Sequence, residues 1–180
     1  MNLSHFMIDL ETMGLRPTSA VVSIGVVHFD AERIIDKFYT PVSLADCREL
    51  GMTTDASTEA WWARQSVEAR SAWQVEDAPK VIDALTELNR WIANYALVKK
   101  VAPWGNGADF DIPLIKNMYE AVNAEPPWMY YNQHCYRTLK NMFPVAAMPR
   151  AGVYHNAVDD AVYQVQHLQQ ILKVHKWNLS

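Results

Sequence analysis

The spacing of apolar positions changes along the chain, and each change marks an element. From His5 to Thr12 the residues alternate, with Phe6, Ile8 and Leu10 on one face and Asp9 and Glu11 on the other, which predicts a strand. Val21–Asp30 and Ile34–Leu44 are rich in β-branched and aromatic residues and predict two more. The short connections between the three predict an antiparallel meander. Ala56–Ser66 predicts a short helix. Ala78–Tyr95 predicts a longer one, since Val81, Leu85, Leu88, Ile92 and Tyr95 recur at steps of three and four. Val98–Trp104 has the pattern of a buried strand that ends at Gly105-Asn106-Gly107. Ile112–Asn123 has that of a helix with Pro113 in its first turn, where proline is tolerated, broken by Glu125-Pro126-Pro127. Trp128–His134 predicts a further strand, Tyr136–Met142 a short helix and Asn156–Lys176 a long one. The stripe of that last helix is Val158, Ala161, Val165, Leu168 and Leu172. This order predicts an α/β domain with a mixed sheet covered by helices. No repeat or linker divides residues 1–180, so a single domain is expected.

Composition narrows the class. The chain has 180 residues, half of them apolar or aromatic, enough to bury a core. Its net charge of −4 argues against a broad electrostatic grip on duplex DNA. It does not argue against chemistry through bound cations, which reverse the local field. The two cysteines, Cys47 and Cys135, form no metal-type or disulfide pattern, which fits a reducing cytoplasm. No apolar run has the length of a membrane span. Residues 1–7 lack the basic and apolar regions of a signal peptide. A cytoplasmic protein without a membrane partner is expected.

Three segments carry candidate chemistry. Asp9 and Glu11 share a strand face, about 6.6 Å apart along it. Two such carboxylates repel and lose hydration, and a divalent cation between them relieves both effects; oxygen donors suit Mg2+ or Mn2+. An exposed edge with two solvated acids is the plainer alternative. Asp111 follows the fourth predicted strand at the start of a helix, where it is a metal ligand or simply an N-cap. Asp109 is a rival ligand in the same turn. His155-Asn156-Ala157-Val158-Asp159-Asp160 opens the last helix. An acid there suits the helix dipole, and a histidine at the helix mouth is either a surface residue or a base that takes a proton from water.

Taken together, Asp-x-Glu on the first strand, Phe-Asp after a later strand and His-x-x-x-x-Asp at the last helix resemble the DnaQ-like DEDDh 3′→5′ exonucleases. The resemblance covers nearly the whole chain. It implies a ribonuclease H-like fold with a five-stranded mixed sheet. It also implies that Asp9, Glu11, Asp111 and Asp160 hold two divalent cations, Mg2+ or Mn2+, with His155 as general base. The substrate would be the 3′ end of single-stranded DNA or RNA and the products nucleoside 5′-monophosphates. By the same resemblance Thr12 and Met13 lie where the family contacts the terminal sugar and base. Trp61-Trp62-x-x-Gln65 is similar to a subgroup holding phage exonuclease A, prophage exonuclease VIII-like proteins and a mycobacterial ribonuclease that prefers adenylate. The phage members point to DNA, to which the reading leans, and the mycobacterial member to RNA. Homodimers are common among such enzymes, and the aromatic content permits one here.

Other side chains keep two readings. Trp61 and Trp62 point about 100° apart on a helix, so one can be core while the other stacks on a base, with Trp62 preferred for stacking. Asn106 binds substrate or shapes the Gly-Asn-Gly turn. Arg137, Lys140 and Arg150 contact phosphates or are scattered solvated charges. Two rival functions share the scaffold: a ribonuclease H-type metal-dependent endonuclease, disfavoured by the His-x-x-x-x-Asp spacing, and a catalytically silent nucleic-acid-binding module, which has no need of four converging acids. A nicotinamide oxidoreductase is set aside because the Gly105 turn lacks G-x-G-x-x-G spacing.

Overall fold

The alternating first segment forms β1 (Ser4–Thr12), the middle strand of the sheet in a computed structural model that describes residues 3–107, 109–146 and 148–179. β2 (Val21–Phe29) pairs antiparallel with β1, and β3 (Ile34–Pro41) antiparallel with β2. On the other side of β1, β4 (Val101–Gly105) and β5 (His134–Cys135) continue in parallel. The described residues thus make a five-stranded mixed sheet in the order β3-β2-β1-β4-β5, the architecture that the motif resemblance implies.

Helices α1 (Leu44–Glu49), α2 (Ala56–Trp62), α3 (Val67–Ser71) and α4 (Val81–Ala93) follow β3. α5 (Asp111–Ala121) follows β4, and α6 (Tyr136–Met142) and α7 (Ala157–His175) close the chain. The register of β1 and β2 decides what each sheet face offers. Leu10 faces Ile24 and Ile8 faces Val26, and with Phe6 they join Leu85, Leu88 and Ile92 of α4 and Leu114 and Met118 of α5 in the larger core. Each such side chain contributes about 1.5–3 kcal/mol by leaving water. On the opposite face Met7 faces Val27, Asp9 faces Gly25 and Glu11 faces Ser23. There Met7, Val27, Phe29 and Trp104 pack under Ala161, Val165 and Leu168 of α7. The acids sit where this second core stops.

Several boundaries differ from the sequence expectation, and four of them have a visible local reason. The third strand stops at Pro41 because Ser43 caps a helix, its side chain accepting from Asp46 N. The helix expected over Ala56–Ser66 ends at Trp62, and Ser66 caps α3 by accepting from Ala69 N. Val98–Lys100 forms a 3₁₀ turn before β4. Trp128–His134 is not a strand: Tyr130–Asn132 forms a 3₁₀ turn, and pairing is confined to His134–Cys135. Among the described residues no helix is long and apolar enough to cross a membrane.

Candidate metal and nuclease site

Asp9 and Glu11 lie near the end of β1, both almost wholly buried. α7 reaches them because Gly25, opposite Asp9, has no side chain. A Cβ there would stand 2.2 Å from Ala157 C and 2.3 Å from Val158 N. The helix N-terminus therefore rests directly on the sheet. Asn156 caps it, its Oδ1 accepting from Val158 N and Asp159 N. His155 precedes the cap in a left-handed conformation, φ 61°, which costs a non-glycine residue about 1–2 kcal/mol.

Glu11, His155 and Asp160 come together, with one potential ligand atom from each within 4.8 Å of the others. Asp9 and Asp111 belong to the same electrostatic unit. Burial raises the Asp9 carboxyl well above its ordinary range, and the charges of Asp111 and Glu11 add to it. Burial, with Asp111 next, pushes Glu11 up to about 8, against the pull of Arg150. Burial raises Asp111 to about 7, against backbone hydrogen bonds that favour its charged form. Dehydrated acids that repel one another are a strained arrangement without a cation, and their hard oxygen donors fit Mg2+ or Mn2+. The residues present therefore suit divalent ions.

Asp111 is not the N-cap that its position allowed. Phe110 takes that place, Asp111 opens α5, and its Oδ2 accepts from Asn106 N at 2.9 Å. Asn106 shapes the turn as well: its carbonyl accepts from Arg137 Nε at 2.7 Å. Asp109 is exposed. Asp159 Oδ2 accepts from Val153 N at 2.8 Å, which ties down the loop that carries His155.

Beside Glu11 opens a cleft of about 440 Å³ whose walls include Thr12, Leu15, Trp61, Arg64 and Phe110. Thr12 lines it, though its hydroxyl donates to Gly14 O at 2.7 Å. Met13 is 2% exposed, its N–H donates to Ala20 O and its carbonyl accepts from Asp55 N. Trp62 is 3% exposed and its indole N–H donates to Thr12 O at 3.0 Å. Trp61 is the half-buried member of the pair, with the His155 ring edge-on at 4.7 Å. Burial lowers the His155 pKa, and Arg150 lowers it further, both favouring the neutral ring.

Two residues, Gln164 and Gly25, escaped the sequence reading, and Arg150 departs from one of the two roles read for it. Gln164, one turn beyond Asp160, is 4% exposed and donates from Nε2 to Asp9 Oδ1 at 2.6 Å. Its i+4 spacing from Asp160 was a signal, but glutamine is ordinary in helices. Gly25 was hidden among the apolar residues of β2. Arg150 is no scattered solvated charge: it pairs with Asp160, both side chains being largely buried.

Comparisons with known proteins give the family and the fold. The family model for the 3′-5′ exoribonuclease Rv2179c-like domain matches residues 4–172. An exodeoxyribonuclease of enterobacteria phage T4 is 28% identical over 127 residues, which span 65% of this chain and 56% of the phage protein. The nuclease domain of 3′hExo, a DEDDh family member bound to rAMP, superposes with a TM-score of 0.67 at 15% identity, covering 96% of this chain and 93% of that one. Exonuclease X in complex with 5′-overhanging duplex DNA gives 0.61 at 18%, covering 97% and 95%. At these identities the two structures show the shared fold.

Proposed function

Because the chain belongs to the family of the 3′-5′ exoribonuclease Rv2179c-like domain, we propose that it is a metal-dependent 3′→5′ exonuclease acting on single-stranded nucleic acid. The observation that carries this reading is the meeting of Glu11, from the first strand, with His155 and Asp160, from the last helix and the loop before it, next to buried Asp9 and Asp111. Asp9, Glu11, Asp111 and Asp160 would hold two divalent ions, which when bound lower the pKa of water and offset charge on a phosphate. His155, its neutral form favoured by burial and its ring edge-on to Trp61, takes the proton of the attacking water. Gln164 keeps Asp9 turned into the site. The cleft beside Glu11 accepts the terminal nucleoside, with Trp61 and Phe110 as apolar walls and Thr12 near the sugar. In-line attack at phosphorus breaks the bond to the 3′-oxygen, releases a nucleoside 5′-monophosphate and shortens the strand by one unit.

The phage relative is named for DNA and the family for RNA. Matched 5′-labelled DNA and RNA oligonucleotides, digested with Mg2+ or Mn2+, decide between them. The expected result is a ladder of single-nucleotide steps on a linear strand, with a circular single strand left intact. Asp9→Ala should abolish the ladder and weaken Mn2+ binding. Cutting of the circle, or full activity in Asp9→Ala, rejects the assignment.

A further inference from the structure

Arg150 sits on the loop before His155, at the rim of the acid cluster. Its side chain is 18% exposed and ion-pairs with Asp160, whose side chain is 17% exposed. The guanidinium carbon lies 4.1 Å from the Tyr154 ring centroid and 5.4 Å from that of Tyr163. Its field also acts on Asp9, Glu11 and His155. A cation so enclosed has exchanged water for aromatic faces and carboxylates, which marks a built position.

Two features of that position define a role. Asp160 is one of the three residues whose ligand atoms converge, so Arg150 and a divalent ion compete for one carboxylate. The two tyrosines come from different segments: Tyr154 from the loop and Tyr163 from α7, three residues past Asp160. They can keep the guanidinium at the rim after it leaves Asp160. A guanidinium there has the planar donor fork that matches phosphate oxygens. We propose that Arg150 is the resident counter-cation of the carboxylate cluster, which a divalent ion displaces from Asp160 and which then binds a phosphodiester of the substrate strand from its place against Tyr154 and Tyr163. The phosphate half of this proposal rests on the exonuclease reading; the counter-cation half does not.

The test compares wild type, Arg150→Gln and Arg150→Lys. Mn2+ is first titrated calorimetrically into metal-free protein without nucleic acid. Arg150→Gln, which removes the competitor, should bind Mn2+ about tenfold more tightly, the effect of one lost charge pair. Arg150→Lys keeps the charge and should stay within about twofold of wild type. KM for a single-stranded oligonucleotide at saturating Mn2+ should then rise about tenfold in Arg150→Gln and clearly in Arg150→Lys, with kcat changing less. Unchanged or weaker Mn2+ binding in Arg150→Gln overturns the counter-cation role, as does equal tightening in both variants. An unchanged KM overturns the phosphate role. If Arg150→Gln does not fold, by near-ultraviolet circular dichroism, Arg150→Lys carries the test: a raised KM at wild-type Mn2+ affinity supports the proposal, and any other result overturns it. A wild-type protein that binds Mn2+ but leaves every oligonucleotide intact removes the exonuclease reading and the phosphate half with it. The Mn2+ titration still decides the other half.

Discussion

His155 and the paired tryptophans divide binding from chemistry at the scale of single residues. His155 is held by its left-handed backbone, by the Trp61 ring and by the loop that Asp159 ties down. If its work is proton removal, His155→Ala should lower kcat by about 10²–10⁴-fold. Mn2+ affinity, read by calorimetry, should change far less, because the carboxylates remain. Comparable losses in both would make the ring chiefly a ligand. Trp61 and Trp62 are neighbours that both line the cleft, Trp61 half-buried and Trp62 almost wholly buried. Trp61 walls the cleft, so Trp61→Ala should cost about 1–3 kcal/mol of binding, seen as a raised KM at nearly unchanged melting temperature. Trp62 is buried in the larger core and bonded to Thr12, so Trp62→Ala should cost about 3–5 kcal/mol of folding stability in a denaturant titration. Trp62, which the sequence reading preferred for stacking, also lines the cleft but exposes little surface, and the two variants test which ring stacks. Adjacency alone could not decide it, because which indole turns inward depends on how α2 lies against β1.

At the scale of elements, the contact between β2 and α7 assembles the site. Gly25→Ala would place a methyl group against the backbone of Ala157 and Val158, atoms that no rotamer change can move aside. α7 must tilt, carrying Asp160 and Gln164 away from Asp9 and Glu11. The expected cost is about 1–3 kcal/mol of stability, together with a loss of Mn2+ affinity that a purely structural lesion at the far end of the sheet would not cause. Wild-type Mn2+ binding in a destabilised Gly25→Ala would show that the helix position is not what forms the site. Elements with a strong period were legible in the sequence: β1 from its alternation, α4 and α7 from their stripes. The acid and histidine positions were read through the motif resemblance, since each segment taken singly had a plainer alternative. Trp128–His134 was not legible, although its aromatic residues favour strands. Tyr130 and Tyr131 are exposed, and the Asn132 amide donates to Lys99 O and Val101 O, so a side chain takes carbonyls that a partner strand would have used. Long-range contacts of that kind leave no local pattern. Gly25 and Gln164 were missed for the same reason, since their meaning lies in residues more than a hundred positions away.

At the scale of the whole molecule, the cluster should govern how stability depends on pH. A carboxyl whose folded pKa is raised holds its proton in the native state while the unfolded chain has released it. Native protein then binds more protons than unfolded protein, and stability falls as pH rises toward the folded pKa. For Asp111, at about 7, and Glu11, at about 8, that decline begins near pH 4 and ends near pH 8. The histidines work in the opposite sense. His5, lowered to about 4 by burial with help from His134 and His28, costs stability as pH falls below about 6.5, where the unfolded ring takes up a proton. The two effects oppose each other from about pH 4 to 6.5. Above that the histidine contribution is complete and the carboxylates act alone. Metal-free protein should therefore lose stability between pH 6.5 and 8, by up to about 1.4 kcal/mol per pH unit for each carboxyl that is still titrating. Divalent ions bind the ionised acids, so saturating Mn2+ should flatten or reverse the slope and raise the melting temperature more at pH 8 than at pH 6.5. Asp111→Asn, which cannot ionise, should lose part of the slope without added metal. Melting curves of wild type and Asp111→Asn, with and without Mn2+ across this range, measure all three effects. A metal-free stability that is flat or rising from pH 6.5 to 8 would mean that the acids are already ionised at neutral pH, and that their burial does not set their charge.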